Sequence, residues 1–163
     1  MHSTKYSHAV RHSALALGLF LAASGAMAQE TRCHVGAGII ATGSNLGRLD
    51  FQQPVWVGSC DYAAEMNGNR RWETALGYMA HAYPATFLSQ SLVFPATGHL
   101  NLLLGGALLD RTTGSMGSQI NIHAGASLRL GKQLRLVFRH LSNAGIRSPN
   151  QGENMLLVDL RFR

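Results

Sequence analysis

The sequence predicts an all-β protein, an eight-stranded antiparallel transmembrane β-barrel of the outer membrane, and three observations predict it. Residues 1–28 read as a secretory signal, with Lys5 and Arg11 in a positive n-region, an apolar stretch over 14–23 and the small-x-small site Ala26-Met27-Ala28. No later stretch approaches the roughly 18 apolar residues of a membrane-spanning helix. Instead, 18 glycines and other turn residues separate short segments of alternating character, the pattern of many strands. Residues 29–163 then form one barrel domain, and eight is the smallest common closed membrane barrel.

The elements follow in order. Strands near 33–42 and 51–61 form a hairpin centred on Leu46-Gly47, with an outer loop over 44–50. Cys33 and Cys60 lie equally far from that centre. Two readings stand: a cross-strand disulfide, worth on the order of 3 kcal/mol in an oxidising periplasm, or two unpaired thiols, because a one-residue slip turns one to the other face. Strands near 71–82 and 86–94 come next. The leucine-rich run within 98–109 could suggest a short helix, but its Gly105-Gly106 pair fits a strand better. Residues 110–116 are an outer loop before a strand over 117–130. Gly131-Lys132-Gln133 is tight enough for a periplasmic turn into 133–142, and the stretch 143–153 is a third outer loop before 154–162. In that last strand Leu156, Val158, Leu160 and Phe162 share one parity, while Asp159 and Arg161 lie on the other. Many outer-membrane barrels end on an aromatic residue; here Phe162 is penultimate, before Arg163.

The strand over 133–142 carries the chemistry. Leu134, Leu136, Phe138, His140 and Ser142 share one parity; Arg135, Val137, Arg139 and Leu141 share the other. In a soluble sandwich the more apolar face would be core, but in a membrane barrel it points to lipid. His140 and Ser142 therefore face the membrane side by side. An imidazole beside a serine hydroxyl can take its proton and create an acylating nucleophile, so the pair points to acyl transfer. A lone His-x-Ser on a strand is usually an interfacial pair without catalytic role, and Ser, Asn and Gly also build ordinary loops.

Other residues exclude or extend readings. His34, His81, His99 and His123 form no ligand spacing, so no metal or other cofactor is expected. A pI near 10 raises nucleic-acid binding, but export and the lack of a basic run argue against that partner. The excess arginine suits lumen pairing or lipopolysaccharide phosphates, which guanidinium groups hold bidentately; Arg139 and Arg147, flanking the His-Ser pair, are the substrate-phosphate candidates. Trp56, Trp72, Tyr62, Tyr78 and Tyr83 are candidates for interfacial girdles or are ordinary strand residues.

The run His140-x-Ser142-Asn143-Ala144-Gly145-Ile146-x-x-Pro149-Asn150-x-Gly152 resembles the signature of the lipid A 3-O-deacylase (PagL) family. The specific match covers about 138–154. The strand before it, the signal segment and the last strand fit the family layout, whereas 29–115 resemble it only in general character. The resemblance implies an outer-membrane barrel that hydrolyses the ester-linked 3-hydroxyacyl chain at position 3 of lipid A, at its lipid-facing exterior. It makes His140 the general base and Ser142 the nucleophile, and backbone N–H groups of Asn143 and Gly145 become candidates for the oxyanion hole. The family's acidic third member often stands fourteen positions after the histidine, which here is Asn154, with Glu153 one earlier.

Strand parity turns Asn154 toward lipid with His140 and Glu153 inward, unless a bulge at Gly152 reverses them. Chemistry favours Glu153, since a carboxylate both orients the imidazole and stabilises the imidazolium, while Asn only orients. Glu153 is taken as the third member and Asn154 as its alternative. The implied partners are lipopolysaccharide and the outer-membrane lipids, with homodimerisation left open. A different class remains beside this one: a non-catalytic small barrel with a structural or binding role, to which serine-reactive labelling at Ser142 would be foreign. A soluble periplasmic β-domain, the third reading, would extract without detergent.

Overall fold

The computed structural model describes residues 31–43, 53–63, 70–80 and 83–162. The expected signal segment, the loop over 44–50, His81 and Arg163 lie outside the described residues. Eight strands follow one another: β1 (Arg32–Thr42), β2 (Gln53–Ala63), β3 (Arg71–Met79), β4 (Ala85–Pro95), β5 (Leu100–Leu109), β6 (Ile120–Arg129), β7 (Leu134–Ser142) and β8 (Glu153–Arg161). Each pairs antiparallel with the next, and β8 returns to β1, so the sheet closes and no edge is left unpaired. Strands of 9 to 11 residues are the length that crosses a bilayer when tilted.

The alternation written in the sequence becomes two surfaces. Outward lie Val35, Ile39, Leu102, Leu104, Leu108, Ile122, Val158 and Leu160, all exposed. Inward, Val55, Val57, Ala75, Phe87, Val137 and Leu157 are buried together with Asp61, Glu73, Arg139 and Asp159. An apolar exterior around a partly charged interior is the membrane arrangement, the inverse of a soluble sandwich. The interior is filled by fitting large against small: the Phe87 ring lies over its cross-strand partner Gly77, where a Cβ would come within 2.2 Å of it.

The first hairpin settles the cysteines. Its register pairs Cys33 with Cys60, and a disulfide joins them. Trp56 and Tyr78 are also cross-strand partners, and their rings stack on the exterior with centroids 6.0 Å apart. Element ends shift from expectation for local reasons. β5 begins at Leu100 because the Thr97 hydroxyl accepts the N–H groups of His99 and Leu100 and holds a turn. β6 begins at Ile120 because the preceding residues leave the sheet to dock on the stretch between β7 and β8. That docking builds the candidate site.

Candidate active site

β7 delivers the site through its period of two. Val137, Arg139 and Leu141 are fully buried in the barrel, and His140 and Ser142, on the other parity, are half-buried on the exterior. His140 sits opposite Asn154 of β8 and Ala124 of β6. Its Nδ1 is 2.9 Å from Asn154 Oδ1. The Asn154 amide is itself oriented, because its Nδ2 donates to the Gly43 carbonyl at 2.8 Å. The oxygen must therefore be the group facing the ring, which makes Nδ1–H the donor and leaves Nε2 as the free basic nitrogen.

Beyond Ser142 the chain leaves the sheet through a compact loop. Ala144 and Gly145 take positive φ of 52° and 78°. Ser142 Oγ donates to Asn150 Oδ1 at 3.1 Å and accepts the Ala144 N–H at 3.2 Å. No hydrogen bond joins it to His140 among the described residues. Asn143 is fully buried and knits the loop: its Nδ2 donates to the carbonyls of Arg147 and Pro149, and its Oδ1 accepts the Gly145 N–H at 3.0 Å. The loop between β5 and β6 braces this one from the side. Met116 pairs with Asn150, Gly117 N–H donates to the Pro149 carbonyl at 2.7 Å, and Gln151 N–H to that of Ser115 at 2.9 Å.

Three expectations change against this geometry. Glu153 does not reach His140. The β7–β8 register is regular through Leu141↔Glu153 and His140↔Asn154, so no bulge reverses the parity and Glu153 turns inward. There it is fully buried and accepts the hydroxyls of Thr42, at 3.0 Å, and Ser115. Arg139, expected at a substrate phosphate, is sealed in the lumen with its guanidinium 2.8 Å from Glu73. The Asn143 and Gly145 N–H groups, expected in the oxyanion hole, are engaged inside the loop with the side chains of Asn150 and Asn143. Arg147 is exposed on that loop.

Two residues quoted in the signature run were given no contact with His140 or Ser142 from sequence. Asn150 meets Ser142 Oγ through Oδ1. Gly152, at φ 76°, backs the histidine: a Cβ there would come within 2.8 Å of His140 Cε1. Asparagine and glycine in a loop carry no periodicity that would have separated them from ordinary turn residues. The described residues hold no cluster of metal-ligating side chains.

Residues 44–163 match the family described as lipid A 3-O-deacylase (PagL). The chain belongs to that family. No curated protein matches it. Among solved structures, the outer-membrane enzyme PagL is similar at 20% identity and a TM-score of 0.53, over 80% of this chain and 99% of that one. Ail of Yersinia pestis, solved in a phospholipid nanodisc, is similar at 15% identity and TM-score 0.48, over 82% of this chain and 100% of its own. Neisserial surface protein A follows at 12% identity and TM-score 0.49, over 80% and 95%. Membership of the PagL family makes this an outer-membrane barrel of a family of ester hydrolases that act on lipid A, as the exterior position of His140 and Ser142 leads one to expect.

Proposed function

We propose that the chain removes the ester-linked 3-hydroxyacyl chain at position 3 of lipid A, with Ser142 as nucleophile, His140 as general base and Asn154 as the residue that orients it. The observation that carries this reading is the His140 Nδ1–Asn154 bond at 2.9 Å beside Ser142 on the lipid-facing wall. That bond leaves Nε2 free to take the Ser142 proton once Oγ rotates away from Asn150 about its Cα–Cβ bond. Oγ then attacks the ester carbonyl, and the carbonyl oxygen takes up the negative charge of the tetrahedral intermediate.

With the Asn143 and Gly145 N–H groups engaged, the Ala144 N–H, which Oγ releases as it turns, and the amide of Asn150, whose Oδ1 contacts Oγ, are the groups proposed to hold that oxyanion. Collapse breaks the ester bond, and the imidazolium returns the proton to the sugar oxygen as it leaves. Water, activated by the same nitrogen, adds to the acyl-serine and releases the 3-hydroxy fatty acid. Because the wall faces the bilayer, a lipid whose glycan lies at the interface needs no extraction to reach Ser142. Arg147, exposed beside the site, is the remaining candidate for a lipid A phosphate.

The test incubates refolded protein and its Ser142→Ala variant with purified lipopolysaccharide in detergent and records lipid A mass spectra. Loss of one 3-hydroxyacyl group with the parent alone is expected. No loss with folded parent protein would overturn the reading, and loss with both would remove Ser142 from it.

A further inference from the structure

At the end of the barrel opposite the Ser142 loop, the lumen opens into a cavity of about 1220 Å³. This is the end where β1 begins and β8 ends, with the short connections over 96–99 and 130–133, which in an outer-membrane barrel is the periplasmic end. The cavity is blind. Its floor is Arg135 of β7, whose guanidinium spans the lumen to Ser59 of β2, Glu73 of β3 and Asp159 of β8 at 2.8 to 3.0 Å. Above that layer Arg139, Leu141, Met155 and Met116 are fully buried. A mouth closed in this way is a binding concavity and no channel.

Its charge is one-sided. Asp61 is the sole carboxylate among the described lining residues, and it already faces His34, Arg71 and Arg135 at 3.4 to 3.7 Å. Toward the rim, Arg70, Arg129 and Lys132 have no carboxylate partner among the described residues. The Arg70 guanidinium lies 5.5 Å over the Phe94 ring, and Arg129 donates to the Gly98 carbonyl. A ring face and a carbonyl orient a guanidinium but leave its net charge uncompensated, and oriented guanidinium groups suit phosphate oxygens.

We propose that this periplasmic mouth is a binding site for a water-soluble anion carrying several clustered phosphates. The volume admits a ligand of that size, being above the usual range for small-molecule sites. The closed sheet separates the cavity from lipid on every side, so the ligand enters from the aqueous phase. The site is distant from Ser142 and faces the other compartment, so it stands independently of the hydrolytic reading.

Calorimetric titration of the folded protein in non-ionic detergent with tripolyphosphate tests it. One saturable site is expected, weakening as salt rises from about 50 to about 200 mM. The triple variant Arg70→Ser, Arg129→Ser, Lys132→Ser should bind at least about tenfold more weakly, while Ser142→Ala binds like the parent. Heat-modifiable gel mobility reports that each variant is folded. Absence of a saturable site, or equal affinity in a folded triple variant, would overturn the proposal. Displacement by short-chain phosphatidylglycerol as effective as by tripolyphosphate would replace the aqueous ligand with a lipid headgroup and overturn it as well.

Discussion

In the proposed mechanism Asn154 can hold the His140 ring but cannot share the positive charge that would form on it. Removing the amide frees the ring to rotate and to change tautomer, so Asn154→Ala is expected to lower the deacylation rate by about 10²-fold, within the range of general-base contributions. Asn154→Asp should not restore a stronger base. Its second oxygen would face the Gly43 carbonyl, where the Asn154 amide now donates at 2.8 Å, and the repulsion would pull it off the ring. Initial-rate measurements on lipopolysaccharide check both variants; a faster Asp variant would mean that the Gly43 contact does not matter. Gly152 supplies a second residue-scale prediction. A methyl group there is strained at φ 76° and meets His140 Cε1 at 2.8 Å. Gly152→Ala should thus reduce kcat by displacing the proposed base while the barrel stays folded, read as an unchanged heat-modifiable shift beside a slower rate.

At the scale of elements, the strands were legible and the loop contacts were not. The two-residue period over 134–142 turns His140 and Ser142 out, and the same period turns Arg139 in, against the phosphate role expected of it. The period also turns Glu153 inward; the preference for it came from carboxylate chemistry, and geometry prevails because β8 enters the sheet without a bulge. The equal spacing of Cys33 and Cys60 about Leu46-Gly47 coincides with the observed register. By contrast, the docking of 113–117 on 149–151 follows no period, and so Asn150 was invisible as a partner of Ser142. Glu153 ties these pieces, accepting the hydroxyls of Thr42 at the end of β1 and Ser115 in the β5–β6 loop. Glu153→Leu takes the acceptor from the exposed Thr42 hydroxyl and from the buried Ser115 hydroxyl, the latter at about 1–3 kcal/mol. The expected outcome is lower stability with activity falling only as the loops loosen, and Glu153→Gln, which keeps an acceptor, should recover most of it. Limited proteolysis of the two loops alongside the rate assay separates this bracing role from a catalytic one: an intact, uncleaved Glu153→Leu protein without activity would return Glu153 to the chemistry.

For the whole molecule, the closed barrel separates two chemistries by a wall one side chain thick on each face. Outside, His140 and Ser142 meet lipid; inside, one residue away, Arg139 meets Glu73 at 2.8 Å and Glu73 also holds Arg135 at 3.0 Å. The lumen charges compensate one another across β2, β3, β7 and β8, so they fix the relative position of strands that are distant in sequence. Such a network is weak evidence of net stabilisation, since burying the ions is costly, but removing one partner leaves charge stranded. Glu73→Ala strands the Arg139 guanidinium, on the strand residue adjoining the proposed base, while Arg135 keeps Asp159 and Asp61. It is therefore expected to cost about 3–5 kcal/mol, measured as a lower urea midpoint for unfolding in detergent, and to slow hydrolysis although Glu73 faces away from the substrate. The double variant Glu73→Leu, Arg139→Leu removes that charge together with its partner and should be more stable than Glu73→Ala alone. If the single variant unfolds at the parent's midpoint, water entering from the blind mouth compensates Arg139, and the lumen layer is not what holds the strand bearing His140 and Ser142 in place.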